Sequence, residues 1–196
     1  MKHILVFLLL FIGFVSVLAQ EQQTAKVVHF KKLQEFLPKK TPDGFTAEKP
    51  KGSTSTAMGI STSLAEQRFT VQKKEMQKQT DDNGKEQMVE TDVTWTIHCQ
   101  IVDLAGTMQP EQINAMYQIE MNSESDEGSV KSIKIKNKYK GFEKVTSTES
   151  DKYCSLEIII ADRFNVSIEG RGFDDVKILY SVLESIDLAK LEKLKP

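Results

Sequence analysis

The chain has 196 residues, with 26 basic and 28 acidic side chains and a formal net charge of −2. A nucleic-acid-binding domain normally carries a basic excess that neutralises phosphates, so this balance argues against that class. The two cysteines, Cys99 and Cys154, are too few for a fold held together by disulfides. They are either one bridge in an oxidising compartment or two buried thiols, and their wide separation in strand order favours free thiols.

Residues 1–19 have the three parts of a secretory signal peptide. A charged start is followed by an apolar run from Ile4 to Leu18, and the small Ala19 precedes the expected cut. The apolar run, about 15 residues, is shorter than the roughly 20 that cross a membrane as a helix. We therefore expect cleavage before Gln20 and an exported protein, periplasmic or extracellular, with no integral membrane segment left after cleavage.

The rest of the chain divides into a polar leader and one domain. Residues 20–27 predict a flexible leader, and residues 28–196 predict a single α+β domain. The first helix begins near Val28 and ends at Pro38, because proline removes a backbone donor. Its apolar side chains at helical spacing are Phe30, Leu33, Phe36 and Leu37.

Residues 38–56 contain prolines, glycines and hydroxyls, which predict an irregular connection with a turn at Pro42–Gly44. A strand is expected from Ala57 to Val71, with large side chains such as Met58 on one face and small ones such as Ala65 on the other. Small side chains let a helix approach the backbone closely.

The face that carries the large side chains should change near Glu66, because Phe69 and Val71 lie on the face that carries the small residues before that point. A bulge or bend in the strand would produce this change. The triplet Asp82–Asn83–Gly84 then predicts a hairpin, since Asn-Gly tolerates positive φ. The partner strand, Met88–Leu104, alternates apolar and polar side chains and places His98 on its polar face.

A second helix is expected to begin at Pro110, with Ile113, Met116, Tyr117 and Met121 on one stripe. The acidic stretch Asn122–Gly128 predicts a loop. The strands predicted after it are Val130–Asn137, Phe142–Ser147, Tyr153–Ala161 and Phe164–Glu169.

Gly170–Gly172 should end the sheet, and Asp174 should cap a helix that buries Leu179 and Leu183. A break near Ser185–Asp187 separates this helix from a short last one. The sum is an α+β fold, a single antiparallel β-sheet flanked by helices.

No catalytic, cofactor-binding or metal-binding residue is assigned by motif. H-E-x-x-H, C-x-x-C and G-x-S-x-G sequences are lacking, so neither a zinc site nor a nucleophile elbow is indicated. His98 is the most plausible general base, and a scattered enzyme site would combine it with Asp103 and Arg163. Glu157 and Asp162 are further candidate carboxylates to orient His98, and His29 is the alternative base.

Two acidic loops, Asp81–Glu86 and Ser123–Glu127, offer oxygen ligands for calcium but lack the EF-hand spacing. The segment Gly52–Gly59 superficially resembles a phosphate-binding loop, yet it lacks the G-K-[ST] ending. We interpret the two acidic segments as a turn and a solvated loop, and Gly52–Gly59 as a loop that leads into a strand.

Five segments carry a resemblance that spans most of residues 28–195. They are FKKLQEFLPKKTPDGF, EKPKGSTSTAMG, IVDLAG, IADRFNVSIEG and SIDLAKLEKL. The chain resembles a group of bacterial exported proteins without an assigned function, whose layout is similar to the Mog1/PsbP-like α+β fold. The resemblance implies that fold and transfers no catalytic residue.

Three functions remain open. The leading hypothesis is a non-enzymatic binding or accessory module whose partner is a protein or an envelope component. The alternatives are a hydrolase and a small-molecule or calcium-binding protein, each with a site assembled from scattered residues. A deep pocket with convergent polar groups would favour the alternatives, and an open surface would favour the binding module.

Overall fold

The computed structural model describes residues 26–80, 84–148 and 151–194. The predicted signal peptide, residues 1–19, lies outside the described residues, as do residues 20–25 of the predicted leader. Within the described ranges, nine strands form one sheet in which every neighbouring pair is antiparallel. The α+β class and the single antiparallel sheet are therefore confirmed.

The strands are β1 (Thr46–Ala47), β2 (Lys51–Ala57), β3 (Ile60–Thr80), β4 (Glu86–Asp103), β5 (Asn122–Ser125), β6 (Gly128–Ile135), β7 (Tyr139–Ser147), β8 (Lys152–Ile160) and β9 (Phe164–Arg171). The helices are α1 (Phe30–Gln34), α2 (Pro110–Met116), α3 (Val176–Glu184) and α4 (Leu188–Glu192). The strand order is β1-β3-β4-β9-β8-β7-β6-β5, and β2 also pairs with β3.

Strands β3 and β4 pair as the hairpin predicted around Asp82–Gly84; of these three residues only Gly84 lies among the described residues, with φ +79°. Its register places Arg68 opposite His98. Beyond the core of the sheet, residues 71–80 of β3 pair only with residues 86–95 of β4. The pairing of β1 with β3 ends at Thr70, and the pairing of β9 with β4 ends at Thr96. The hairpin therefore ends in a two-stranded arm.

The connection predicted over residues 38–56 is wrong in its second half, where β1 and β2 form. Strand β2 pairs with β3 through a turn at Met58 and Gly59, whose φ angles are +52° and +78°. Positive φ at both central residues matches the twist of the flanking strands. Met58 and Ile60 are consequently exposed at the hairpin tip rather than part of a buried large-residue face.

The inward face of β3 is continuous, so the predicted change of sidedness near Glu66 is wrong. Ser63, Ala65, Gln67 and Phe69 are all buried. Helix α1 contacts both β3, the strand for which a close approach was expected, and β2. The Phe30 amide donates to Thr54 Oγ1 at 2.9 Å, and a Cβ on Gly52 would lie 2.9 Å from the Phe30 ring and 2.6 Å from the Leu64 carbonyl oxygen.

One hydrophobic cluster joins α1, α3 and α4 to a single face of the sheet, which we call the inner face. Alternate residues of the central strands supply it, since side chains of a strand alternate between faces. The members from β4, β8 and β9 include Ile97, Cys99, Ile101, Leu156, Ile158, Ile160, Phe164, Val166 and Ile168.

Helix α2 ends at Met116, so Tyr117 and Met121, which were predicted to belong to its apolar stripe, lie beyond it. Ile113 is fully buried, whereas Met116 and Met121 are largely exposed. Tyr117 stacks on Phe142 with ring centroids 5.2 Å apart.

The predicted acidic loop, Asn122–Gly128, is wrong for Asn122–Ser125, because these residues form edge strand β5 paired with β6.

The helix break near Ser185–Asp187 is confirmed, and the Asp187 carboxylate accepts from the Lys190 amide at 2.9 Å. The cap of α3 is Asp175, which accepts from the Lys177 amide at 3.1 Å. Asp174, the predicted cap, instead accepts a hydrogen bond from the Ser147 hydroxyl. Adjacent aspartates made the two positions indistinguishable by sequence pattern.

Both cysteines are free and buried, in agreement with the prediction. Cys99 is opposite Ile168 of β9, and Cys154 is opposite Gly170 of the same strand. Strand β9 thus lies between them, and two strand spacings of about 9.5 Å exceed the roughly 7 Å that a disulfide can bridge. Burial raises the pKa of each thiol to about 12.

We expect the native protein to react slowly with a thiol reagent near neutral pH, because both thiols are buried and protonated. After unfolding without a reductant, two thiols per chain should react, the same number as after reduction. Absorbance of a chromogenic disulfide reagent measures both values. No reactive thiol in the unreduced, unfolded protein would contradict the assignment and indicate a disulfide.

Candidate functional site

The sheet face opposite α1, α3 and α4, which we call the outer face, is polar at its centre. Its side chains from β3, β4, β9 and β8 are Glu66, Arg68, Thr96, His98, Gln100, Ser167, Glu169, Arg171, Tyr153 and Ser155. Directly opposite residues of antiparallel strands lie on the same face with Cβ atoms about 5 Å apart. The register therefore places charged side chains of different strands side by side.

Two cross-strand rows form the centre of the outer face. Arg68 is opposite His98, which in turn is opposite Glu169. In the next row, Thr96 is opposite Arg171. Strand β4 is paired on both sides at these positions, so the backbone that carries Thr96 and His98 is fixed by two ladders of hydrogen bonds.

His98 has a carboxylate partner that the sequence analysis missed. Its Nε2 lies 3.0 Å from Glu66 Oε2, and Gln100 Nε2 donates to the same oxygen at 3.3 Å. Burial raises the pKa of Glu66, but hydrogen bonds from Gln100 and His98 and the charges of His98 and Lys51 more than offset it, so the pKa lies below its usual range. An ionised carboxylate can only accept hydrogen bonds, so His98 Nε2 is the donor in the contact with Glu66. Nδ1 is the ring nitrogen that does not contact Glu66.

Beside this pair the outer face has a concavity of about 340 Å³, open to solvent. We call it the Arg68–Arg171 concavity, and it is lined by Arg68, Thr96, His98, Glu169 and Arg171. Arg68 is exposed, and its guanidinium has no ion-pair or hydrogen-bond partner among the described residues. Arg171 Nη2 lies 3.6 Å from Glu169 Oε2, and its guanidinium carbon is 5.7 Å from the Tyr153 ring centroid.

The hypothetical set of His98, Asp103 and Arg163 is not brought together. Asp103 is an odd number of residues from His98 along β4, so its side chain lies on the inner face, and it is fully buried. The Arg163 guanidinium donates to both its carboxylate oxygens, at 3.0 and 2.7 Å. The other two suggested partners of His98, Glu157 and Asp162, make no described contact with it.

Asp103 instead anchors the start of the described chain. Its Oδ2 accepts from the Val28 amide at 2.7 Å, and its Oδ1 accepts from the Ala105 amide at 3.1 Å. Arg163 also donates to the Lys26 carbonyl at 3.1 Å. Lys26, the first described residue of the predicted leader, is therefore held to the sheet.

His29 has a local structural role. Its Nδ1 accepts from the Lys31 amide at 3.3 Å, which caps α1, and its side chain is exposed. No carboxylate contacts His29 within the described ranges. The alternative base therefore lacks an orienting partner of the kind that His98 has.

The described ranges contain no group of three or more histidine, cysteine, aspartate or glutamate side chains placed to hold a metal ion. Of the two acidic segments considered for calcium, Ser123–Glu127 forms β5 and its turn, and Asp81–Glu86 lies partly outside the described residues. Among the described helices, none has the length and apolar character needed to cross a membrane.

Comparison with known proteins gives no match to a family model, a curated protein or a solved structure.

Replacing Asp103 with alanine should destabilise the fold by about 3–5 kcal/mol, because it leaves the Arg163 charge and two amides without their acceptor. The free energy of unfolding in urea measures this loss. The control is Asp92→Ala, an exposed aspartate on the arm of β4. Equal stability of the two variants would show that the buried ion pair does not anchor the chain.

Proposed function

We propose that the chain is an exported, periplasmic protein that acts as a non-enzymatic binding or accessory module, and that its fold belongs to the Mog1/PsbP-like group. The outer face is its binding surface. The observation that carries this proposal is the open row of charged side chains at the centre of a rigid sheet, with Arg68 unpaired among the described residues.

The shape of the outer face favours binding over catalysis. Enzyme and small-molecule sites enclose most of their ligand in a cleft. The Arg68–Arg171 concavity is instead open to solvent, and the hydroxyls of Thr96 and Ser167, on the same face as His98, make no described hydrogen bond to it. Charged side chains on an open surface can give a contact with a larger partner its selectivity through complementary charge on that partner.

Site-specific photo-crosslinking in the exporting cell tests the proposal. A photoreactive amino acid at Thr70, on the outer face beside Arg68, should form an adduct with a discrete partner. The same group at Lys39, exposed on the opposite side of the chain near α1, is the matched control. Gel analysis and mass spectrometry compare the two positions.

The adduct at position 70 should be lost when Arg68 and Arg171 are both replaced by alanine. Thermal unfolding and export level of the double variant should match those of the unsubstituted chain, since both side chains are exposed. Equal adducts from positions 70 and 39, or an adduct unaffected by the double substitution, would contradict the outer face as the binding surface.

A hydrolase is the second candidate function, and the contact of His98 with Glu66 favours it. A carboxylate that orients a histidine is part of many hydrolytic sites, where the other ring nitrogen acts as general base. The arrangement here lacks a described nucleophile within reach of that nitrogen, so a water molecule would have to be the attacking group.

Under the binding proposal, hydrolysis of a panel of chromogenic esters and phosphoesters should equal the buffer rate and should not change in His98→Ala. General-base catalysis contributes about 10²–10⁴-fold, so a real histidine base would be evident. A loss of this size in His98→Ala, with a smaller loss in Glu66→Gln and an intact fold by circular dichroism, would support the hydrolase.

A further inference from the structure

Arginine is rare in this chain, and two of its few arginines line one concavity of the outer face. The sequence has three arginines among its 26 basic residues, and all the others are lysines. One of the three, Arg163, is committed to the buried Asp103 carboxylate. The other two, Arg68 and Arg171, line the same concavity on the outer face. Arginine presents a planar fork of donors that binds oxyanions in a bidentate manner, which lysine cannot do.

The two guanidinium groups approach the concavity from opposite sides. Arg68 belongs to β3 and Arg171 to β9, and β4 lies between these strands. Two strand spacings, about 9.5 Å, separate the two backbones, so both side chains reach the space above Thr96 and His98. The ring of Tyr153 and the carboxylate of Glu169 position Arg171, whereas Arg68 is available to a ligand.

The neighbouring carboxylates restrict the anion. Glu169 lines the concavity, and Glu66 lies beside His98. These carboxylates offset the charges of Arg68 and Arg171, so the concavity lacks the cationic excess that would compensate the larger desolvation cost of a phosphate dianion, whereas a carboxylate carries one negative charge and matches the fork of a guanidinium. The charge pattern thus favours a carboxylate over a phosphate.

Because the concavity is open to solvent, a carboxylate that belongs to a polypeptide is favoured over a free small-molecule carboxylate. A free small molecule would leave most of its surface in water, and exposed ion pairs are worth only about 1 kcal/mol or less. A polypeptide could extend the contact along the outer face towards Lys144 of β7, whose Nζ lies 5.8 Å from the centroid of the Tyr153 ring. Arg68, Arg171 and Lys144 together span four strand spacings, about 19 Å.

We propose that Arg68 and Arg171 clamp a side-chain carboxylate of an acidic segment of a partner polypeptide that lies across the outer face. This inference rests on the proposed binding function and specifies the chemistry of its partner. Thr96 contributes a hydroxyl between the two arginines, and Lys144 binds a second acidic residue of the same segment.

The probe is a blocked hexapeptide of alternating glutamate and serine, titrated into isotopically labelled protein and followed by nuclear magnetic resonance. The expected result is saturable shifts of the Arg68 and Arg171 side-chain Nε–Hε signals and of the Thr96 amide. The isosteric hexapeptide with glutamine in place of glutamate should not produce them, because it has the same shape without the charge.

Arg68→Ala and Arg171→Ala should each weaken binding of the glutamate peptide by about fivefold. Arg68→Lys should recover only part of the affinity, because lysine restores the charge and not the fork. The matched control, Lys177→Ala, removes an exposed cation of α3 on the opposite face and should leave binding unchanged. Amide spectra and thermal unfolding check that each variant is folded.

Three results would overturn the inference: no saturable shift with the glutamate peptide, equal binding of the glutamine peptide, or tighter binding of inorganic phosphate. Free glutamate binding as tightly as the peptide would overturn the polypeptide source. If the peptide fails but the crosslink at position 70 persists, the binding function stands and the carboxylate chemistry is wrong. If both fail, the outer face is not a binding surface.

Discussion

The antiparallel pairing of β3 with β4 is the constraint on which both faces of the sheet depend. Arg68 opposite His98 fixes every other pair along the hairpin. A slip of one residue would exchange the two faces of β3, moving Ala65 and Phe69 out of the core and Arg68 into it. Burial of an unpaired guanidinium is strongly unfavourable, and so is exposure of Phe69, so the core and the outer face enforce the same register.

The register of this hairpin decides which side chains form the candidate site, and the turn signal alone gives it incorrectly. A two-residue turn at Asn83–Gly84 would place Arg68 opposite Cys99, whereas the observed pairing places Arg68 opposite His98 and Glu66 diagonal to it. The alternation of the two strands selects the observed register, because it keeps Phe69 and Ile97 on one face and Arg68 and His98 on the other. Candidate partners of His98 were sought among carboxylates later in the chain, and Glu66 was therefore missed.

Other features depended on contacts that no local pattern contains. Strand β2 was mistaken for a loop because its glycine, serine and threonine side chains are typical of turns, and its strand geometry comes from pairing with β3. Asp103 could be placed on the inner face by its alternation with Cys99 and Ile101. Its role could not, because its donors come from Val28 and Arg163, remote in sequence and joined only by the folded sheet.

The outer face combines a rigid backbone with a nearly balanced set of charges, and these two properties favour selectivity over affinity. Pairing of β4 on both sides fixes where Thr96 and His98 lie, so a ligand meets preorganised groups. Arg171 has Glu169 at 3.6 Å, whereas the guanidinium of Arg68 has no partner among the described residues. Under the proposed binding mode, an acidic segment fits only where its carboxylates meet Arg68, Arg171 or Lys144 and avoid Glu66 and Glu169, because discrimination between partners comes from the unfavourable contacts as much as from the favourable ones.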